Sequence, residues 1–129
     1  MATARAFRDL RVYQAAFDGA CRIHELSRSF PLDERYSLTD QVRKSSRSVC
    51  ANIAEAWRKR RYPAHFASKL SDADAEAAET SVWLDFAHRF RYLSDAQHEE
   101  LRAIYERING QLWRMMASPS KWTPKDDKS

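Results

Sequence analysis

Residues 41–61 read QVRKSSRSVCANIAEAWRKRR, and the spacing of their apolar residues decides the fold class. At 100° per residue, Val42, Ser46, Val49, Ile53, Ala56 and Trp57 share one face of a helix. Arg43, Arg47, Arg58 and Arg61 collect a quarter to a half turn away. In the whole stretch seven basic residues (Arg43, Lys44, Arg47, Arg58, Lys59, Arg60, Arg61) stand against one acid, Glu55. The segment therefore reads as an amphipathic helix with a basic flank. Ser45, Ser46, Ser48, Cys50, Ala51 and Ala54 in its middle are all small, which lets a neighbouring helix come close.

Three more helical patterns surround it. Upstream, Leu10, Tyr13, Phe17, Ala20, Ile23 (or His24) and Leu26 repeat every three to four residues, predicting a helix from about Asp9 to Ser27 that ends before Phe30-Pro31. Helix two is expected from Leu38 to about Arg60, with Ser37 as its cap and Asp40 three residues on. Pro63 suits the first turn of a third helix, where Phe66, Leu70, Ala73, Ala77, Thr80, Leu84 and Ala87 form a heptad seam. Ser94 and Gln97 make a capping box for a fourth, with Leu101, Ile104, Ile108, Leu112 and Met115 as its stripe and Tyr105 and Met116 at the flank.

The chain of 129 residues has only two glycines and four prolines, too few for a turn-rich β fold. The reading is an all-α, up-down-up-down antiparallel four-helix bundle over 9–117, with an N-terminal arm (1–8) and a disordered tail (118–129). No apolar run approaches a membrane span, and no secretory signal is expected. Cys21 and Cys50 fit no metal spacing and read as reduced, buried thiols of a cytoplasmic protein.

Charge is distributed unevenly. Leu70–Phe86 carries Asp72, Asp74, Glu76, Glu79 and Asp85 and no Lys or Arg. This acidic stretch can pair with the basic one within a subunit, between subunits, or not at all. Trp57 and Tyr62 bracket the basic run, placing stacking surface beside phosphate-binding charge, as single-stranded nucleic acid requires. The competing reading is a solvated face whose last turn complements the helix dipole. Asn52 and Glu55 are read as polar groups that hydrogen-bond between helices and set their register, a ligand or partner contact being the alternative; Gln41 is read as a structural or interface residue, and Trp83, Phe86 and Phe90 widen the third helix into an interface.

Catalytic chemistry finds little footing. Two isolated glycines exclude a phosphate loop, and no nucleophile elbow occurs. Asp85-x-x-His88 and Asp95-x-x-His98 have the spacing of a di-iron bundle motif with a shorter acid, but Asp95 suits the helix dipole instead. No enzyme activity, metal or cofactor is expected.

The sequence resembles a known family through Phe7-x-Asp9-Leu10-x-Val12-Tyr13-x-x-Ala16, Pro31-x-x-Glu34-x-Tyr36-x-Leu38-x-x-Gln41-x-Arg43 and Ser48-Val49-x-x-Asn52-Ile53-Ala54-Glu55. These look like the four-helix-bundle proteins encoded in 23S ribosomal RNA intervening sequences, and the likeness runs over about residues 7–115. The family includes the accessory variability determinant of diversity-generating retroelements. The resemblance implies a bundle assembled as a homopentameric ring and, in the retroelement branch, a basic surface that engages nucleic acid and a reverse transcriptase. Ala56 and Ala75-Glu76 stand where the family usually has glycine and Gly-Ser. The expectation is a homo-oligomer that binds RNA or a ribonucleoprotein partner through helix two. The alternative is a self-assembling interaction module without nucleic acid.

Overall fold

A computed structural model describes residues 4–124, and among them there are four long helices and no strand. These are α1 (Arg11–Ser27), α2 (Leu38–Arg58), α3 (Pro63–Arg89) and α4 (Asp95–Ala117), with short 3-10 turns at Phe7–Asp9, Leu32–Glu34 and Pro119–Lys121. α2 and α3 share the largest interface, and α3 packs next most extensively on α4. Ser45 meets Thr80 and Glu55 meets Lys69 across α2 and α3, Ser27 meets Arg43 across α1 and α2, and Asp74 meets Asn109 across α3 and α4. Across α2 and α3, where two such contacts are named, residue numbers rise along α2 as they fall along α3.

The seam of α3 is as expected: Phe66, Leu70, Ala73, Ala77, Thr80, Leu84 and Ala87 are all buried. So is the α2 face from Val42 to Trp57, joined by Leu38, Thr39 and Ser45. The Ser94–Gln97 capping box forms, with Gln97 N donating to Ser94 Oγ at 3.1 Å and Ser94 N to Gln97 Oε1 at 2.9 Å.

Four expectations need correction. In α1 the buried residues are Val12, Ala16, Gly19, Ile23 and Ser27, while Phe17 is 50% exposed. Across the interface Tyr105 of α4 is fully buried and lies against Gly19 of α1. A Cβ added at Gly19 would stand 3.1 Å from Tyr105 Oη and 3.3 Å from Ile104 Cγ2. Tyr105 is thus central in α4 and Ile104 lies at the flank, the reverse of the sequence pattern. Secondly, Ser37 does not cap α2. Its hydroxyl turns back to donate to Glu34 Oε1 at 2.6 Å, and Glu34 itself accepts from Leu38 N. Bonds from Ser37 and Tyr92 hold that carboxyl below its usual range. Asp40 pairs instead with Lys44, and α2 ends at Arg58.

Thirdly, both chain ends are docked where they are described. Asp9 Oδ2 accepts from the backbone N of Arg5 and Ala6, fastening the N-terminal turn, and Trp122 packs partly buried against the core beyond α4. The remaining tail positions, 125–129, lie outside the described residues. Fourthly, Cys21 is exposed and Cys50 only partly buried. They line a groove of about 700 Å³ with Phe17, His24 and Arg47.

Among the described residues Tyr105 Oη is buried without a hydrogen-bond partner, and such a group costs about 1–3 kcal/mol. Tyr105→Phe should therefore raise the thermal midpoint by several degrees, and Gly19→Ala should be tolerated better in that background than alone. A lower midpoint for Tyr105→Phe in a calorimetric scan would show that the hydroxyl is bonded.

Candidate nucleic-acid interface

The basic residues of α2 divide into structural and free ones. Arg43 is partly buried: its Nε donates to Ser27 Oγ at 2.8 Å, tying α2 to the last turn of α1. Arg60 lies with its guanidinium carbon 3.8 Å from the centre of the Trp57 ring, and its Nη1 donates to Trp57 O at 2.8 Å. Burial, and then Arg58, lower the Arg60 pKa. Trp57 is only 7% exposed, since one face belongs to the core and Arg60 covers another. Its expected role as a base-stacking platform is therefore overturned: Trp57 and Arg60 form a packed cap at the end of α2.

The free set is Lys44, Arg47, Arg58, Lys59 and Arg61, all exposed, with Tyr62 beside them at 58% exposure and 5.7 Å from the His65 ring. Among the described residues, the only ion pair in this set joins Lys44 to Asp40, an exposed contact at 3.3 Å. Arg47 Nη2 approaches His24 Nδ1 at 3.3 Å.

The acidic stretch of α3 does not neutralise this face within the chain. Asp72 pairs with Lys69, Asp74 accepts from Asn109 Nδ2 at 2.6 Å, Glu79 accepts from Trp83 Nε1, and Asp85 meets His98. The ion pair between α2 and α3 has the opposite sense: Glu55 of α2 meets Lys69 of α3 at 2.8 Å. Burial and its acidic neighbours Glu79 and Asp72 raise the Glu76 pKa.

Glu55 thus pairs with a residue of the neighbouring helix α3. Asn52 does not: its Nδ2 donates to Ser48 O at 2.9 Å and to Ser48 Oγ at 3.1 Å, one turn back on the same helix. With Ser48 within reach four residues earlier, the amide is satisfied before it can cross to another helix. Gln41 is half-buried near the start of α2.

Away from this face, Trp83, Phe86 and Phe90 form a row of rings with centroids 6.2 and 5.9 Å apart, continued by Tyr92 and Phe30. Phe86 and Phe90 are about half exposed, so the extra apolar surface read from the sequence is present. The two Asp-x-x-His motifs cross-link α3 and α4, His88 Nε2 to Asp95 Oδ1 at 2.7 Å and His98 Nε2 to Asp85 Oδ1 at 2.9 Å. Their imidazoles stack 4.1 Å apart, and His88 holds the Asp95 carboxyl below its usual range. Among the described residues, no three His, Cys, Asp or Glu side chains converge as a metal site.

Sequence reasoning missed the cations from elsewhere in the chain. The Phe7–Asp9 turn, which carries Arg8, touches α2, and a shared cavity joins Arg5 and Arg11 to Arg114 and Lys121. No linear motif links positions so far apart.

The family model of the 23S rRNA-intervening sequence proteins matches residues 8–114. The chain belongs to that family. A family crystal structure is similar in fold: a protein of unknown function from the S23 ribosomal protein family of Bacteroides thetaiotaomicron. It aligns at TM-score 0.73 and 30% identity, over 81% of this chain and 97% of that one. No curated protein matches the chain. The family likeness ends at 114, just before the turn that carries Lys121 and Trp122.

Two outcomes test this geometry. Asn52→Ala should shift the melting temperature little, because it removes only a bond within one turn and adds helix propensity of about 0.5 kcal/mol; a large fall would mean that the amide crosses helices. Burial raises the Cys50 thiol to about 11, so its thiolate is scarce until the pH rises towards that value. Iodoacetamide at pH 8 should therefore label Cys21 first, read as one adduct per chain by mass spectrometry.

Proposed function

We propose that this family member is a non-catalytic, cytoplasmic protein that binds RNA or a ribonucleoprotein through the free cations Lys44, Arg47, Arg58, Lys59 and Arg61. The observation that carries this reading is that, among the described residues, only Lys44 of this set has an acidic partner. Cations left without acids are poised to release counterions when they meet phosphate. Tyr62 supplies the exposed aromatic surface on which an unpaired base can stack. A reverse-transcriptase-type protein is the other partner class that the family likeness suggests, and it too would present bound nucleic acid to this face.

The fold in this proposal is an up-down-up-down antiparallel bundle, supported by the opposed residue numbering across α2 and α3. The assembly is a homo-oligomeric ring, most simply a pentamer. Its support is the exposed row of Trp83, Phe86 and Phe90, since contiguous apolar patches on a surface mark interfaces. That same row favours the second reading, a self-assembling interaction module without nucleic acid.

Binding to an unstructured RNA should weaken linearly with salt on a log–log plot, with a slope of about −0.7 per phosphate, so roughly −3 for four contacts. Arg47→Glu with Arg58→Glu should weaken unrelated RNA sequences almost equally, while light scattering shows the oligomer intact. Absence of RNA binding at low salt, with loss of the oligomer in the same variant, would reject this reading and favour self-assembly through the basic face. A parent protein running as a 15.1 kDa monomer at micromolar concentration would reject the ring.

A further inference from the structure

The two ends of the chain enclose a second basic feature, separate from α2. A cavity of about 1270 Å³ lies between the N-terminal segment, the start of α1, the end of α4 and the turn that follows it. Arg5, Arg11, Arg114 and Lys121 line it, together with Gln111 and Trp122. The four cations are exposed, and among the described residues none forms an ion pair. Among the described residues Asp9 is the one acid in the lining, and its carboxylate is turned onto the backbone N of Arg5 and Ala6 at 2.9 and 3.1 Å. Four cations around a concavity with low-dielectric walls focus a positive field there, which a convex helix flank does not do.

We propose that this cavity binds a nucleoside phosphate, with the base against Trp122 and the phosphates among Arg5, Arg11, Arg114 and Lys121. Trp122 is held partly buried by the Pro119–Lys121 turn and by its packing on the core, so its position is set before any ligand arrives. An anchored aromatic beside several cations matches both halves of a nucleotide, a flat π surface and a polyanion. Gln111 adds an amide whose Oε1 is buried without a hydrogen-bond partner among the described residues. Among the described residues no hydrogen bond holds that amide, so it can turn to meet the donor and acceptor edge of a base. The volume exceeds the roughly 300–1,000 Å³ of ordinary small-ligand sites, leaving room for a base, a sugar and more than one phosphate. The same chemical unit occurs as a free nucleotide and at the 5′-phosphate end of an RNA. No basic residue of α2 lines the cavity, so this site stands independently of the function proposed above.

The test is a calorimetric titration of the full chain at low salt with ATP, and in parallel with pyrophosphate and adenosine. ATP should bind at least about tenfold more tightly than either fragment. Arg114→Gln with Lys121→Gln should weaken both ATP and pyrophosphate. Trp122→Leu should weaken ATP about five- to a hundredfold and leave pyrophosphate unchanged. Arg47→Glu with Arg58→Glu should leave ATP binding as it was, which separates this site from the α2 face. Should Trp122→Leu prove unstable by circular dichroism, the surface Gln pair and the comparison of ATP with its fragments still decide. A 5′-phosphorylated tetranucleotide binding more tightly than both ATP and its 5′-hydroxyl counterpart would identify an RNA end as the occupant; ATP binding more tightly than both would identify a free nucleotide. No ATP binding at millimolar concentration, equal affinity for ATP and pyrophosphate, or indifference to the Gln pair would each overturn the proposal.

Discussion

Close approach of helix backbones is the constraint on which the rest of this molecule depends. At the waist of the α2–α3 interface the hydroxyls of Ser45 and Thr80 lie 2.8 Å apart, both buried. Such a contact requires short side chains on both helices, and alanines occupy much of the remaining seam, at Ala56, Ala73 and Ala77. α1 and α4 meet in the same way, with the bare backbone of Gly19 against Tyr105. Large residues are thereby admitted at the centre from one side only. Tyr105 enters the core, and Phe17 stays at the rim beside Tyr13, their rings stacked 6.0 Å apart.

That packing also determines what the basic flank of α2 can do. A helix held flush against α3 and α1 turns its remaining side outward, and the positions nearest its neighbours are used for structure. Arg43 reaches the end of α1, Glu55 reaches α3, and Arg60 folds over Trp57. Of the remaining cations, Lys44 pairs with Asp40 and Arg47 approaches His24, while Arg58, Lys59 and Arg61 form no ion pair among the described residues. Charge at the helix end thus divides into guanidiniums that close the fold and guanidiniums that face solvent, a split that residue type cannot signal. The acids of α3 are bonded largely to residues of α3 and α4, which keeps them from cancelling the basic face.

The His88–Asp95 and His98–Asp85 pairs show the same economy at the opposite end of α3. Two motifs spaced like metal ligands point at each other across α3 and α4 and satisfy one another, with their imidazoles stacked. Spacing alone places side chains on a face; which group stands opposite decides whether that face binds an ion or closes a joint.

Helix number, the α3 seam, the buried face of α2 and the Ser94 cap were all legible in the sequence. Each follows from local rules, namely a 3.6-residue period, a fixed proline φ and a hydroxyl three residues from an amide. The family was legible for the same reason, because its motifs are contiguous. The α1 stripe was not, since Val12-Ala16-Gly19-Ile23 and Leu10-Tyr13-Phe17-Ala20 are both helical repeats one step apart. The buried stripe is the one whose Gly19 stands against Tyr105 of another helix, a partner no local pattern names. The fates of Trp57 and Asn52 were decided likewise, by Arg60 lying over one and Ser48 within reach of the other. The cluster of Arg5, Arg11, Arg114 and Lys121 exists only because folding brings the two ends of the chain together, and a linear pattern carries no term for that distance.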